Sequence, residues 1–191
     1  MSDYFTLENI TYNDLKTQKL EIDTGYIGYY DTLLDLKYCT GAERLIINNG
    51  IGENEDAYFV SQGEINREVS QKEVEEIQEE LGKVLPKMKK LKWLMLSREG
   101  GVEWTSVDFL KNQKSIEDLW ICNCKATDYS VLKTCVSLKE IVIEDSELSE
   151  ADDLIGLKNV ENIYIYDTPL AENPEEIKKL QEAYPDADIY Y

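Results

Sequence analysis

Apolar residues recur along this chain at set intervals: one, a second six positions on, a third after three more, a fourth after two. Leu132, Leu138, Ile141 and Ile143 obey the rule, as do Leu154, Val160, Ile163 and Ile165. So do Leu110, Ile116, Leu119 and Ile121, and Leu85, Leu91, Leu94 and Leu96, while Leu36, Ala42, Leu45 and Ile47 give a weaker copy. Leu20 and Ile22 read as the end of an earlier copy, and Leu180, Ile189 and Tyr191 as a truncated last one. The second positions at Leu91, Ile116, Leu138 and Val160 are separated by 25, 22 and 22 residues. A fixed period of this kind means one supersecondary unit stacked on itself, with a strand where the apolar residues alternate.

Between Ile47 and Leu85 the period lapses, and residues 52–84 are read as an insertion within one unit. Its second half, Ser70 to Leu85, predicts a helix. Ser70 and Glu73 have capping-box spacing, and Val74, Ile77, Leu81 and Val84 follow at helical intervals. The first half, Asp56 to Val69, reads as a hairpin turning near Gly63. A second helix starts at Asn173, with Pro174 in its first turn and Glu176 at the third position, and stops before Pro185. The chain reads as one domain, residues 1–191, with 1–16 as an N-terminal cap and 173–191 as a C-terminal cap.

The core of each unit resembles the leucine-rich repeat, whose units run roughly 20 to 29 residues and read L-x-x-L-x-L-x-x-N/C-x-L. Ile116-Glu-Asp-Leu119-Trp-Ile121-Cys-Asn-Cys124 matches, as do Leu138-Lys-Glu-Ile141-Val-Ile143-Glu-Asp-Ser146-Glu-Leu148 and Val160-Glu-Asn-Ile163-Tyr-Ile165-Tyr-Asp-Thr168-Pro-Leu170. The family's ninth position carries a small hydrogen-bonding side chain; Cys124, Ser146 and Thr168 stand there, whereas Glu99 departs from the pattern in a unit with three extra residues. The resemblance extends over about residues 17–191. It implies an α/β leucine-rich-repeat solenoid with a concave parallel β-sheet and a helical or irregular convex side.

Alternation then assigns faces, because residues between the inward positions point outward onto the concave sheet. The middle outward row reads Glu21, Ile46, Met95, Trp120, Val142, Tyr164 and Tyr190. One flanking row reads Lys19, Arg44, Trp93, Asp118, Glu140, Asn162 and Asp188; the other reads Asp23, Asn48, Ser97, Cys122, Glu144 and Tyr166. An apolar stripe on a solvent-facing row marks an interaction site, and Trp and Tyr dominate interface hot spots. The candidate partner-binding residues are Trp93, Met95, Asp118, Trp120, Glu140, Val142, Glu144, Tyr164, Tyr166 and Tyr190. Two other readings stand beside this one: the insertion covers the stripe and makes it core, or the stripe joins two copies of the chain.

Charge narrows the partner. With 39 acidic against 20 basic residues the formal net charge is −19, which disfavours nucleic acid and anionic membranes and steers a basic protein inward. The same acidity also serves solubility alone. The tightest acidic cluster, Glu144, Asp145, Glu147, Glu150, Asp152 and Asp153, follows one strand and reads equally as a solvated face. Cys39 and Cys135 share one repeat position and read as small buried apolar groups. No secretion signal or membrane span is evident, which leads us to expect a cytoplasmic location.

Catalytic chemistry is hard to assemble here. The chain has no histidine, which removes the usual nucleophile–base pairs and the commonest metal ligand. Cys122-x-Cys124 is an isolated thiol pair, and Gly100-Gly101 lacks the Lys-Ser/Thr of a phosphate loop. We therefore expect no catalytic residues, no metal, no cofactor and no enzyme activity. The expected function is a non-enzymatic module, monomer or weak dimer, that holds a protein on its concave face. Small acidic repeat proteins without catalytic groups further resemble bacterial immunity proteins, which neutralise a basic, nuclease-like toxin by tight binding. A general scaffold or adaptor with several partners is the other expectation.

Overall fold

The computed structural model describes residues 4–7, 10–13, 21–26, 32–48, 70–96 and 103–191. Two short strands, β1 (Tyr4–Leu7) and β2 (Ile10–Asn13), pair antiparallel. Seven more form one sheet in chain order: β3 (Glu21–Tyr26), β4 (Arg44–Asn48), β5 (Trp93–Leu96), β6 (Asp118–Cys122), β7 (Glu140–Glu144), β8 (Asn162–Tyr166) and β9 (Asp188–Tyr190). Every neighbouring pair in it is parallel. Parallel neighbours need a crossover, and each returns through a short 3-10 turn or a helix on the far, convex side.

The inward positions match the spacing rule. Leu45, Ile47, Leu94, Leu96, Leu119, Ile121, Ile141, Ile143, Ile163 and Ile165 are all fully buried beneath the sheet. Leu36, Leu110, Leu132 and Leu154 meet them from the turns. Cys39 and Cys135 are buried among these residues as small apolar groups, and none of the four cysteines forms a disulfide among the described residues.

The convex turns are tied together by side chains that accept hydrogen bonds from exposed-end backbone N–H groups. A turn has no intrahelical partner for its first donors, so each needs an outside acceptor. Asp153 accepts from Tyr129 N at 3.1 Å, and Glu176 accepts from Ala151 N at 2.9 Å. The helix α1 (Gln71–Val84) does this in both directions. Glu80 accepts from Leu33 N at 2.6 Å, and Gln78 accepts from Thr105 N at 2.8 Å and Ser106 N at 3.1 Å. The capping box of Ser70 and Glu73 is formed, and Val74, Ile77, Leu81 and Val84 are buried. This helix packs among the convex turns 34–38, 85–87 and 108–110, away from the concave face.

The second helix, α2 (Pro174–Ala183), begins at Asn173, whose side chain accepts from Glu175 N and Glu176 N. It covers the turn at 151–153. Just beyond it, the Tyr184 hydroxyl donates to Leu154 O at 2.6 Å and accepts from Gly156 N and Leu157 N, each at 2.8 Å.

Three expectations change. Ile22 pairs with Leu45, and Asp23 with Ile46, so the first strand sits two residues from the expected register and Asp23, not Glu21, enters the middle row. Tyr191 lies past the end of β9 and is 59% exposed instead of filling an inward position. In the coil with extra residues, Trp104 bridges to Cys124 and so stands at the ninth place of its own unit. The expected hairpin at 56–69, Lys19 and Ser97 lie outside the described residues.

Candidate functional site: the concave face

Strand register brings all ten candidate residues to one face of five adjacent strands. Met95, Trp120, Val142, Tyr164 and Tyr190 are cross-strand neighbours in a continuous row. Trp93, Asp118 and Glu140 form the row beside it, continued by Asn162 and Asp188, and Glu144 is opposite Tyr166 on the other side. Cross-strand neighbours sit close enough for aromatic rings to touch, and they do. Trp93 and Trp120 have centroids 6.2 Å apart at a tilt of 49°. Tyr164 and Tyr190 stack at 4.6 Å with planes 6° apart, and Tyr166 lies 6.3 Å from Tyr164.

Two aromatic groups therefore flank a gap. Trp93, Met95, Trp120 and Tyr164 are half-buried, whereas Tyr166 and Tyr190 are 38% and 43% exposed. Val142 departs from the expectation of an open contact residue: only 6% of it is accessible. The larger side chains at Trp120 and Tyr164, on either side in the register, rise above its two methyls. The buried indole Nε1 of Trp120 has no hydrogen-bond partner among the described residues. Arg44, absent from the sequence-derived site, lies with its guanidinium 4.2 Å from the Trp93 ring centroid. Its place one strand before Trp93 in the same row was the signal for it.

Electrostatics differ across the face. Asp118, Glu140 and Glu144 are half-buried, and no salt bridge engages any of them among the described residues. Partial burial, and after it the neighbouring Glu117 charge, pushes the Asp118 carboxyl upward. Desolvation, and then Glu140, likewise raise the Tyr164 phenol. Cys122 is buried at the face's margin, its thiol 3.9 Å from a Glu144 oxygen. Among the described residues, no group of three acidic or thiol side chains is placed to hold a metal ion.

The exit from each regular strand is built alike. Asn123, Asp145 and Asp167 all have positive φ, between 48° and 55°, a conformation that Asn and Asp tolerate better than other side chains. The next residue anchors the loop: Ser146 Oγ accepts from Cys124 N at 3.0 Å and donates to Glu144 O at 2.8 Å. Thr168 Oγ1 accepts from Ala171 N. Period, parallel order and this ninth-position anchor together decide the architecture. The fold is a leucine-rich-repeat solenoid.

No protein-family model matches the chain, and no curated protein sequence matches it. Solved structures similar to it include an internalin from Listeria monocytogenes, at 11% identity and a TM-score of 0.45, which covers 84% of this chain and 51% of that one. A second Listeria monocytogenes protein, internalin C2, is 16% identical over 72% of this chain and 56% of its own, with a TM-score of 0.41. A leucine-rich-repeat protein from Leptospira interrogans is 12% identical over 83% and 45%, with a TM-score of 0.46. The chain thus spans about half the length of the proteins it matches.

Proposed function

We propose that this solenoid is a non-enzymatic binding module that docks one basic protein on its concave face. The observation that carries the reading is the aromatic row of Trp120, Tyr164 and Tyr190 bounded by carboxylates without salt bridges, on the side of the sheet away from α1. Rings at such positions supply affinity, and unpaired carboxylates at the rim supply steering toward a cationic surface. The net charge of −19 extends that attraction beyond contact distance.

The sharpest form of the reading is an immunity protein that neutralises a basic, nuclease-like toxin. Tight, electrostatically steered binding without chemistry is all such a role asks, and four buried cysteines, none in a disulfide among the described residues, suit the reducing cytoplasm where it would act. No described helix is long and apolar enough to cross a membrane. A general adaptor is the competing form; it holds several partners at modest affinity where an immunity protein holds one tightly.

Affinity purification from the native host, repeated with Trp120→Ala and Glu140→Lys, tests the reading. One basic partner is expected, lost with the first variant and captured more slowly by the second. Capture unchanged by both variants rejects the concave face as the docking surface.

A further inference from the structure

Between Trp120 and Tyr164 the middle row drops to a valine. The two ring-bearing residues stand two strand spacings apart, about 9.6 Å between Cα atoms, with Val142 as the floor between them. That spacing leaves room for one flat group between the two side chains. Along the strand, Glu140 and Glu144 lie two residues before and after Val142, on the same face and about 7 Å away in each direction. The depression is therefore aromatic on two sides, acidic on the other two and apolar beneath.

We propose that this depression is a socket for an arginine side chain of the partner, an inference that rests on the concave face being the docking surface. The guanidinium lies above the Val142 methyls between the Trp120 and Tyr164 rings, and its N–H groups donate to Glu140 and Glu144. A guanidinium is planar, weakly hydrated and carries donors around its rim, so it satisfies rings and carboxylates together. An ammonium matches the charge but not the plane. The face already holds one such pairing, since Arg44 sits over Trp93 at 4.2 Å. The carboxylates are open to a guest: neither Glu140 nor Glu144 is in a salt bridge among the described residues, and Glu144 accepts only a long contact from the Cys122 thiol at 3.9 Å.

The test titrates the full chain with N-acetyl-arginine amide, N-acetyl-lysine amide and N-acetyl-citrulline amide, while NMR follows the Val142 methyls and the Trp120 indole N–H. Arginine is expected to give saturable shifts at both, lysine to bind at least about fivefold more weakly, and uncharged citrulline to give none. Exchanging Glu140→Gln and Glu144→Gln together is expected to weaken the arginine response about tenfold or more with the melting temperature unchanged. Equal responses to arginine and lysine, shifts centred away from Val142, or indifference to the double exchange overturn the socket. The docking surface is judged separately with the purified partner. If Trp120→Ala weakens that complex and the double exchange does not, the face stands and the socket falls; if neither weakens it, both fall.

Discussion

Glu117 and Asp118 are neighbours in sequence whose carboxylates are held differently: one is paired with lysines and the other is not. Glu117 lies at the rim that leads into the strands, between Lys139 at 2.6 Å and Lys92 at 3.3 Å, and these lysines hold its carboxyl below the usual range. Asp118 faces the concave sheet with no salt bridge, and burial pushes its carboxyl the other way. The contrast extends across the molecule. On the convex side and the rim, acidic groups hold turns and lysines: Asp153, Glu80 and Glu176 accept from backbone N–H groups, and Lys125 sits between Glu103 and Glu147. On the concave side Asp118, Glu140 and Glu144 have no such ion pair among the described residues. The same residue types stabilise the solenoid on one side and, in the function proposed above, meet a partner on the other.

Breaking this contrast has its largest expected effect at Trp120. Trp120→Ala should cost about 2 kcal/mol or more of partner affinity, roughly thirtyfold, in a titration calorimeter, with the circular dichroism spectrum retained. Two tyrosines come next. The Tyr184 hydroxyl makes three backbone hydrogen bonds, so Tyr184→Phe should lower unfolding free energy by about 1–3 kcal/mol in urea. The Tyr164 hydroxyl has no hydrogen bond of this kind among the described residues, and Tyr164→Phe should leave stability within about 0.5 kcal/mol.

Smaller effects separate Glu117 from Asp118 by sign. A lowered folded pKa contributes stability above the unfolded carboxylate pKa, and that contribution is lost as pH falls through the lowered value. A raised folded pKa imposes a cost at neutral pH that is relieved as pH falls through the raised value. Glu117→Gln should therefore lower the melting temperature at neutral pH, and Asp118→Asn should raise it; both differences should shrink in acid. The reverse order in a thermal scan would refute the assignment of the two sides. Last, burial pushes the thiols of Cys39 and Cys135 up to about 12 and about 11, so iodoacetamide should spare them until the chain unfolds.

From Leu91 onward the sequence was sufficient to place strands and faces, because three core positions recur in each unit and tolerate no slip. At Ile22 only two apolar residues marked the strand. A slip of two residues keeps every side chain on its own face, so alternation alone could not choose between registers. Trp104 was illegible for a related reason: the extra residues of that coil shift the count, and only pairing with Cys124 reveals which residue takes the ninth place. The Asn and Asp run at 123, 145 and 167 was present in the sequence as a 22-residue period, but its meaning lies in a backbone angle. In the candidate site, alternation placed all ten residues on one face. Which rings pair, and that Val142 lies beneath its neighbours, depend on side-chain size across strands and emerged from the structure.

The recurring left-handed Asn or Asp gives each regular coil its own bend at its exit, and the residue after it, as Ser146 does with Cys124 N, ties that coil to the one before. A segment duplicated between Asn123 and Asp145 would bring its own bend, its own anchor and its own share of core, and would lengthen the hollow surface by one strand spacing, about 4.8 Å. The length of the sheet is thus adjustable by whole-unit copying, without redesign of either end.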